Sequence, residues 1–242
     1  AWISLDENLA QKLPAGGELL PIQYDQNDLQ KQESEKYLDI ITKKIVYGID
    51  SIKFLYEEVL IPLNRHSYEG IVSLLDEFKP DLVITDHQMF AGAIAAVNRN
   101  YPYATSVTAP AALKIMDELP KVHEWEVNQI VALQKEFGLE GNDSIACSDL
   151  LTLVFTSQAF FGEMELSENF SFIGPVLNSR KAEIPFDWDN FHAIKKPKIL
   201  VSIGTTFDHE HKKSFFAKVV EAFAEDDLQV VVVSEPNLFA EW

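Results

Sequence analysis

Cysteine is nearly absent. Cys147 stands alone among 242 residues, so no disulfide can close within the chain and no zinc site built from several cysteines can form. Positive charge is scarce as well. Acidic residues outnumber basic ones by 38 to 20, a net charge of −18, which opposes general binding to nucleic acid or to an anionic membrane. Any phosphate site must therefore be local. No apolar run approaches the roughly 20 residues that cross a bilayer, and the N-terminus lacks the charged, apolar and small-residue order of a signal peptide. The expectation is a soluble, cytoplasmic protein, in which the Asn-x-Ser triplets at Asn142 and Asn169 carry no glycan.

Several catalytic patterns are missing too. His123-Glu124-Trp-Glu-Val127 begins like a metalloprotease helix, but position 127 is Val and the second histidine is gone. His209 and His211 are two residues apart near a helix start and diverge, as a solvated pair does. Ser157 lacks the flanking glycines of a nucleophile elbow. Glu163, Glu165 and Glu168 read as a solvated loop face.

What is present is a soluble α/β pattern, 47% hydrophobic and long enough for one large or two ordinary domains. Its most informative stretch is Pro197-Lys-Ile-Leu-Val-Ser-Ile-Gly-Thr-Thr-Phe-Asp208. Lys198 to Ile203 is an apolar, β-branched run that suits a strand buried on both faces of a parallel sheet. Gly204 ends it. From His209 to Ala224 the residues Phe215, Phe216, Val219, Val220 and Phe223 recur at helical spacing. Ligands of open α/β sheets sit beyond the carboxyl ends of the strands, near helix N-termini with unpaired N–H groups. The Gly204-Thr205-Thr206 turn is therefore a candidate diphosphate seat, or simply a βα turn that needs a glycine.

Ahead of it, Ala1 to Ile22 reads as short strand and loop pieces with no complete βα unit. Asp28 to Ile61 carries Leu38, Ile41, Ile45, Ile49, Ile52, Leu55 and Val59 at three- and four-residue steps, an amphipathic helix that Pro62 breaks or restarts, with a second helix to Phe78. Pro80-Asp-Leu-Val-Ile-Thr-Asp86 repeats the pattern of a proline, a short buried strand and polar residues at its end. Ala91 to Arg99 is helical and Tyr103 to Thr108 a strand, a βαβ succession that predicts a parallel sheet. Pro110 to Pro120 reads as loop, Glu124 to Phe137 as helix, Leu151 to Thr156 and Phe170 to Val176 as strands. Leu177 to Lys196 lacks a sustained period and reads as a linker whose aromatics pin it to a surface. Gln229 to Ser234 is the last strand, and a two-stranded piece cannot bury both faces of its sheet, so the second domain is expected to be incomplete.

Asp86 ends a strand, where its carboxylate either projects into the cleft at the sheet edge or caps the helix starting near Ala91. His87 follows it, but strand alternation sends adjacent side chains to opposite faces, which argues against an Asp86–His87 couple.

Taken in order, Pro80-Asp-Leu-Val-Ile-Thr-Asp86, Ala91-Gly-Ala-Ile-Ala-Ala96, Phe172-Ile-Gly-Pro-Val176, Pro185-Phe-Asp-Trp188 and Ile199-Leu-Val-Ser-Ile-Gly-Thr-Thr206 resemble the GT-B glycosyltransferases of the UDP-glycosyltransferase superfamily, in particular the bacterial macrolide and zeaxanthin glucosyltransferase-like branch. The resemblance runs from about residue 30 to residue 242. It implies two Rossmann-like domains with parallel sheets, both incomplete in this chain: residues 1–178 for the acceptor, lacking a first strand, a linker at 179–196, and the start of a nucleotide-sugar domain at 197–242.

The resemblance also implies an inverting transfer of a sugar from a nucleotide diphosphate, UDP-sugar first, to a hydroxyl of a small lipophilic acceptor. It makes Asp86 the aspartate that orients a catalytic histidine, and Gly204, Thr205 and Thr206 the turn against the donor diphosphate. It also puts His87, Gln88, Met89 and Phe90 in the acceptor pocket, with no metal or other cofactor required. No histidine in the sequence matches the family's catalytic one, and the C-terminal donor motif is not among these residues. The 242 residues alone are expected to be inactive. The alternative is a non-catalytic binding or interaction protein on a shortened GT-B scaffold.

Overall fold

The computed structural model describes residues 1–22, 48–176, 186–204, 209–234 and 238, which fall into two compact units, residues 1–22 and 48–176 in the first and those from 186 on, the described part of the linker included, in the second. Most of the helix expected from Asp28, as well as Pro185, Thr205 and Thr206, lies outside the described residues.

In the first unit, strands β1 (Trp2–Ser4) and β2 (Leu19–Pro21) pair in parallel. The 3₁₀ turn Glu7–Lys12 lies between them, started by Asp6, whose carboxylate accepts the Asn8 N–H at 2.9 Å. The short strands expected among these first residues are present, joined as a parallel crossover. Helix α1 (Ile49–Phe54) runs through a π-helical segment, Leu55–Leu60, into α2 (Ile61–Phe78). Pro62 therefore does not break the helix. A proline removes one N–H and crowds the carbonyl four residues back, and the wider turn just before it absorbs that mismatch.

The main sheet follows as β3 (Val83–Asp86), β4 (Tyr103–Val107), β5 (Thr152–Val154) and β6 (Phe170–Phe172), all parallel and in chain order. Between them lie α3 (Phe90–Asn98), α4 (Ala111–Glu118), α5 (Pro120–Glu136) and the short α6 (Gln158–Phe161). Helix α4 replaces the expected loop. Its Ala, Leu, Lys, Ile and Met residues are helix formers, and Pro110 and Pro120 stand at helix starts, where a missing N–H costs nothing. Strand β3 is less enclosed than its apolar run implies. Among the described residues it pairs on one edge only, and Ile84 is 62% exposed.

The core lies between α2, α3 and α5, with Tyr68, Ile71, Leu75, Phe90, Ile94, Ile130 and Leu133 buried together. Burial of each such side chain contributes about 1.5 to 3 kcal/mol. The alanines of α3 are nearly inaccessible, and their small size lets the helix sit close to its neighbours.

In the second unit, α7 (Trp188–Ala193) is capped by the Asp187 carboxylate, which accepts the Asn190 N–H at 3.0 Å. The aromatics of this linker segment pack on one another, Phe186 against Trp188 with ring centroids 4.7 Å apart. Strands β7 (Lys198–Ser202) and β8 (Gln229–Val233) are parallel, with α8 (His209–Phe223) between them in sequence. Expected to be buried on both faces, β7 instead leaves Leu200 69% exposed among the described residues, because a two-stranded sheet has too few neighbours to cover it.

Gly92, on α3, marks where that helix meets the sheet. A Cβ there would stand 2.5 Å from Thr85 Oγ1, and that hydroxyl, buried, donates to the Met89 carbonyl at 2.9 Å. Gly92→Ala is expected to destabilise the chain by about 1 to 3 kcal/mol, crowding outweighing the helix propensity of roughly 1 kcal/mol that alanine adds. Urea denaturation measures this; an unchanged or raised midpoint would contradict it.

Candidate functional site

The site is a turn. Strand β3 stops at Asp86, and residues 87–89 carry the chain into α3. The turn is held from below by Asn64 of α2, fully buried. Its amide donates to the Leu60 carbonyl at 2.9 Å and to the Gln88 carbonyl at 2.8 Å, while its Oδ1 accepts the Ala91 N–H at 2.8 Å. Asn64 thus satisfies a first-turn N–H of α3, which has no partner within its own helix, and fixes the preceding loop in the same step. The remaining bonds are local: Met89 N–H to the Asp86 carbonyl at 2.8 Å, and His87 N–H to Ser106 of β4 at 3.0 Å.

This turn presents a carboxylate with both oxygens engaged. Asp86 Oδ1 accepts the Gln88 N–H at 3.0 Å, and Oδ2 accepts the Thr108 hydroxyl at 2.7 Å. Burial works to raise the Asp86 pKa, but the His87 imidazole, the Gln88 N–H and the Thr108 hydroxyl together outweigh it and hold the carboxyl below its ordinary range. The side chain keeps 34% of its surface exposed, so an ionised carboxylate remains open to a further donor. The helix-cap alternative fails: Asp86 bonds the turn, and the side chain that reaches the first turn of α3 is Asn64.

The argument from strand alternation against an Asp86–His87 couple is also overturned. His87 Nδ1 lies 3.4 Å from Asp86 Oδ1, because the strand has ended and His87 belongs to the turn. The contact is poorly aligned, and neither ring nitrogen of His87 has a hydrogen-bond partner among the described residues. Of the other residues expected at an acceptor pocket, Gln88 and Met89 are half-buried. Phe90 is 1% exposed, stacked on Tyr56 with ring centroids 6.1 Å apart.

Two contributors escaped the sequence reading. Asn64 and Glu126 both stand within the apolar stripes of their helices, Asn64 between Leu60 and Tyr68, Glu126 four residues before Ile130. A polar residue in such a stripe was the available signal. Glu126, on α5, is 5% exposed. Burial raises its carboxyl to about 7, while the Tyr56 hydroxyl bonded to it and the His87 ring act in the opposite direction.

In the second unit, Gly204 follows β7 with φ +73°, a left-handed conformation that favours glycine whatever lies nearby. The diphosphate seat expected there has Thr205 and Thr206 outside the described residues. Among the described residues no group of three His, Cys, Asp or Glu side chains could hold a metal, and no helix is long and apolar enough to cross a membrane.

Solved structures share this fold. The Streptomyces sp. SF2575 glycosyltransferase SsfS6, complexed with thymidine diphosphate, aligns with a TM-score of 0.60 at 15% identity, over 96% of this chain and 59% of that one. SnogD from Streptomyces nogalater aligns at 0.57 with 17% identity, over 93% and 56%. The calicheamicin glycosyltransferase CalG4 aligns at 0.56 with 20% identity, over 96% and 58%. The fold is that of the GT-B glycosyltransferases. At these identities the likeness shows the fold alone, and the chain spans a little over half the length of the GT-B structures it matches. No protein-family model and no curated protein sequence matches the chain.

Within this GT-B fold the buried Glu126 makes stability depend on pH. Its folded pKa of about 7 exceeds the ordinary 4.5, so the folded chain holds the proton more tightly. The stability this provides is complete below the unfolded value and is lost as pH rises through 7. Glu126→Gln, which keeps a partner for Tyr56, is expected to gain about 2 kcal/mol on the wild type between pH 5 and pH 8. Urea melts at the two pH values check this; a pH-independent difference would contradict it.

Proposed function

We propose that this chain supplies the acceptor domain, residues 1–178, and the start of the nucleotide-sugar domain, residues 197–242, of an inverting glycosyltransferase. In the reaction an acceptor hydroxyl attacks the anomeric carbon of a nucleotide-diphosphate sugar, the bond from that carbon to the diphosphate breaks, and the hydroxyl proton passes to a base. The observation that carries this reading is Asp86: an ionised carboxylate, fixed by two hydrogen bonds and open on one side, at the carboxyl end of a parallel strand in a GT-B fold. An alcohol is a poor nucleophile at neutral pH, and a carboxylate behind an imidazole fixes its tautomer and stabilises its protonated form.

His87 is not that imidazole, since its 7% exposure leaves no room for an acceptor. Its place is in the wall behind Asp86 together with Phe90, which is 1% exposed, and the half-buried Gln88 and Met89 are left to meet the acceptor. The Gly204-Thr205-Thr206 turn receives the leaving diphosphate, its N–H groups and hydroxyls meeting the developing charge with no metal required. The donor is a UDP-sugar or a dTDP-sugar; the thymidine diphosphate in SsfS6 supports testing both. The acceptor is a small, lipophilic alcohol, in keeping with the apolar sequence from Tyr37 to Leu60.

The test uses the longest natural polypeptide containing this sequence. Asp86→Asn is expected to lower turnover by about 100-fold or more with an unchanged circular dichroism spectrum, and Thr205→Ala and Thr206→Ala to weaken UDP-glucose or dTDP-glucose in calorimetric titration. Near-normal turnover of Asp86→Asn would remove Asp86 from the mechanism. Absence of nucleotide-sugar binding would favour a non-catalytic interaction protein instead.

A further inference from the structure

Asp86 is gripped from two elements that are apart in sequence and adjacent in space. Its own turn supplies the Gln88 N–H to Oδ1 at 3.0 Å. The neighbouring strand supplies the other partner. Asp86 pairs in register with Ser106 of β4, and two residues further on, just past the end of β4, the Thr108 hydroxyl donates to Oδ2 at 2.7 Å. That distance suits a hydroxyl donating to an ionised oxygen. Thr108 is exposed, so water could satisfy its hydroxyl, and nothing in the packing of the core calls for one there.

The two bonds constrain different things. A bond to one oxygen fixes where a carboxylate lies but leaves its plane free to turn about the Cβ–Cγ bond, a torsion with a broad energy profile. A second bond, to the other oxygen and from a separate element, removes that freedom. The chain beyond Thr108 is itself tied down. Ala112 N–H bonds the Ala109 carbonyl at 3.0 Å as α4 begins. Lys114 of α4 donates to the Glu163 carbonyl at 3.0 Å, with its ammonium 4.5 Å from the centre of the buried Phe161 ring.

We propose that Thr108 is a positioning residue, whose hydroxyl sets the plane of the Asp86 carboxylate and so aims its open side at the base that takes the acceptor proton. Because the Thr108 proton is committed to Oδ2, its oxygen can only accept. Asp86 and Thr108 together therefore present acceptors alone, and the group they suit is an N–H or O–H donor, which an imidazole base provides. The effect of Thr108 on turnover rests on the proposed transferase reading; its hold on the carboxylate does not.

The experiment uses the longest natural polypeptide containing this sequence, as wild type, Thr108→Val, Thr108→Ser, Asp86→Asn and the double variant of Asp86→Asn with Thr108→Val. Valine keeps the shape of threonine without the hydroxyl, and serine keeps the hydroxyl. In protein labelled at the aspartate carboxyl carbons, the Asp86 NMR resonance, assigned by its loss in Asp86→Asn, is expected to move in Thr108→Val and to hold its place in Thr108→Ser. With UDP-glucose or dTDP-glucose as donor and phenylethanol as acceptor, Thr108→Val lowers kcat by about tenfold or more and leaves KM unchanged. Thr108→Ser retains turnover, and in the Asp86→Asn background Thr108→Val costs nothing further. With para-nitrophenol, whose acidic hydroxyl needs less help to lose its proton, the loss is smaller. An Asp86 resonance unmoved by Thr108→Val overturns the proposal whether or not these acceptors are used, and so does an equal loss in Thr108→Ser. Near-normal turnover in Asp86→Asn overturns the transferase reading and the role of Thr108 in it. A large loss in Asp86→Asn beside normal turnover in Thr108→Val rejects Thr108 alone and leaves that reading standing. If Thr108→Val does not fold, Thr108→Ala makes the same comparison.

Discussion

One side chain, Asn64, determines whether the turn after β3 can exist in its observed form. A loop that leads from a strand into a buried helix must find partners for those of its backbone groups that water does not reach. Here a single buried amide meets the Gln88 carbonyl of the loop and the first-turn N–H of Ala91 while anchored on the Leu60 carbonyl of its own helix. Leaving even one unsatisfied costs about 1 to 3 kcal/mol, comparable to the net contribution of a well-packed core side chain. The turn that carries Asp86 is therefore as firmly placed as the core, although it stands at the edge of the sheet.

That rigidity bears on the proposed chemistry. A carboxylate that must orient a base is useful only if it does not swing, and Asp86 is held at both oxygens, by its own turn and by Thr108 beyond β4. The helix α3 behind it is nearly all small residues, with Gly92 against Thr85, so the turn, the strand end and the helix start form one packed unit. The exposed ion pairs nearby, Arg65 with Glu136 and Arg99 with Asp76, fasten the outer faces of the same helices. Solvent screening leaves each of them worth less than the buried amide.

Much of this was legible in the sequence. The proline, apolar run and polar end of Pro80 to Asp86 located β3, and the order of strands and helices gave a parallel sheet with the right membership. What failed did so for identifiable reasons. Pro110 and Pro120 mark helix starts as readily as loops, and only the packing of α4 decides between them. Burial of β3 and β7 could not be read from apolar runs, because a run states what a strand tolerates and not which neighbours it has. Asp86 was read as the end of a strand, which it is, but its surroundings were not read. Strand alternation ceases to apply one residue past a strand end, which is where His87 lies, and Asn64 reaches the turn across 24 and 27 residues of chain and Glu126 reaches Tyr56 across 70, separations no local pattern encodes.

The most direct test of the central claim is amide hydrogen exchange at Ala91, read by NMR or by mass spectrometry of a peptide spanning the turn. If Asn64 holds the turn, the Ala91 amide in the wild type exchanges as slowly as the buried amides of α3, through global unfolding. In Asn64→Leu, which lacks both the amide donors and the oxygen that accepts the Ala91 N–H, exchange at Ala91 accelerates by about tenfold or more relative to the core of α2. Rapid exchange at Ala91 in the wild type, or equal exchange in the two proteins, would contradict the account.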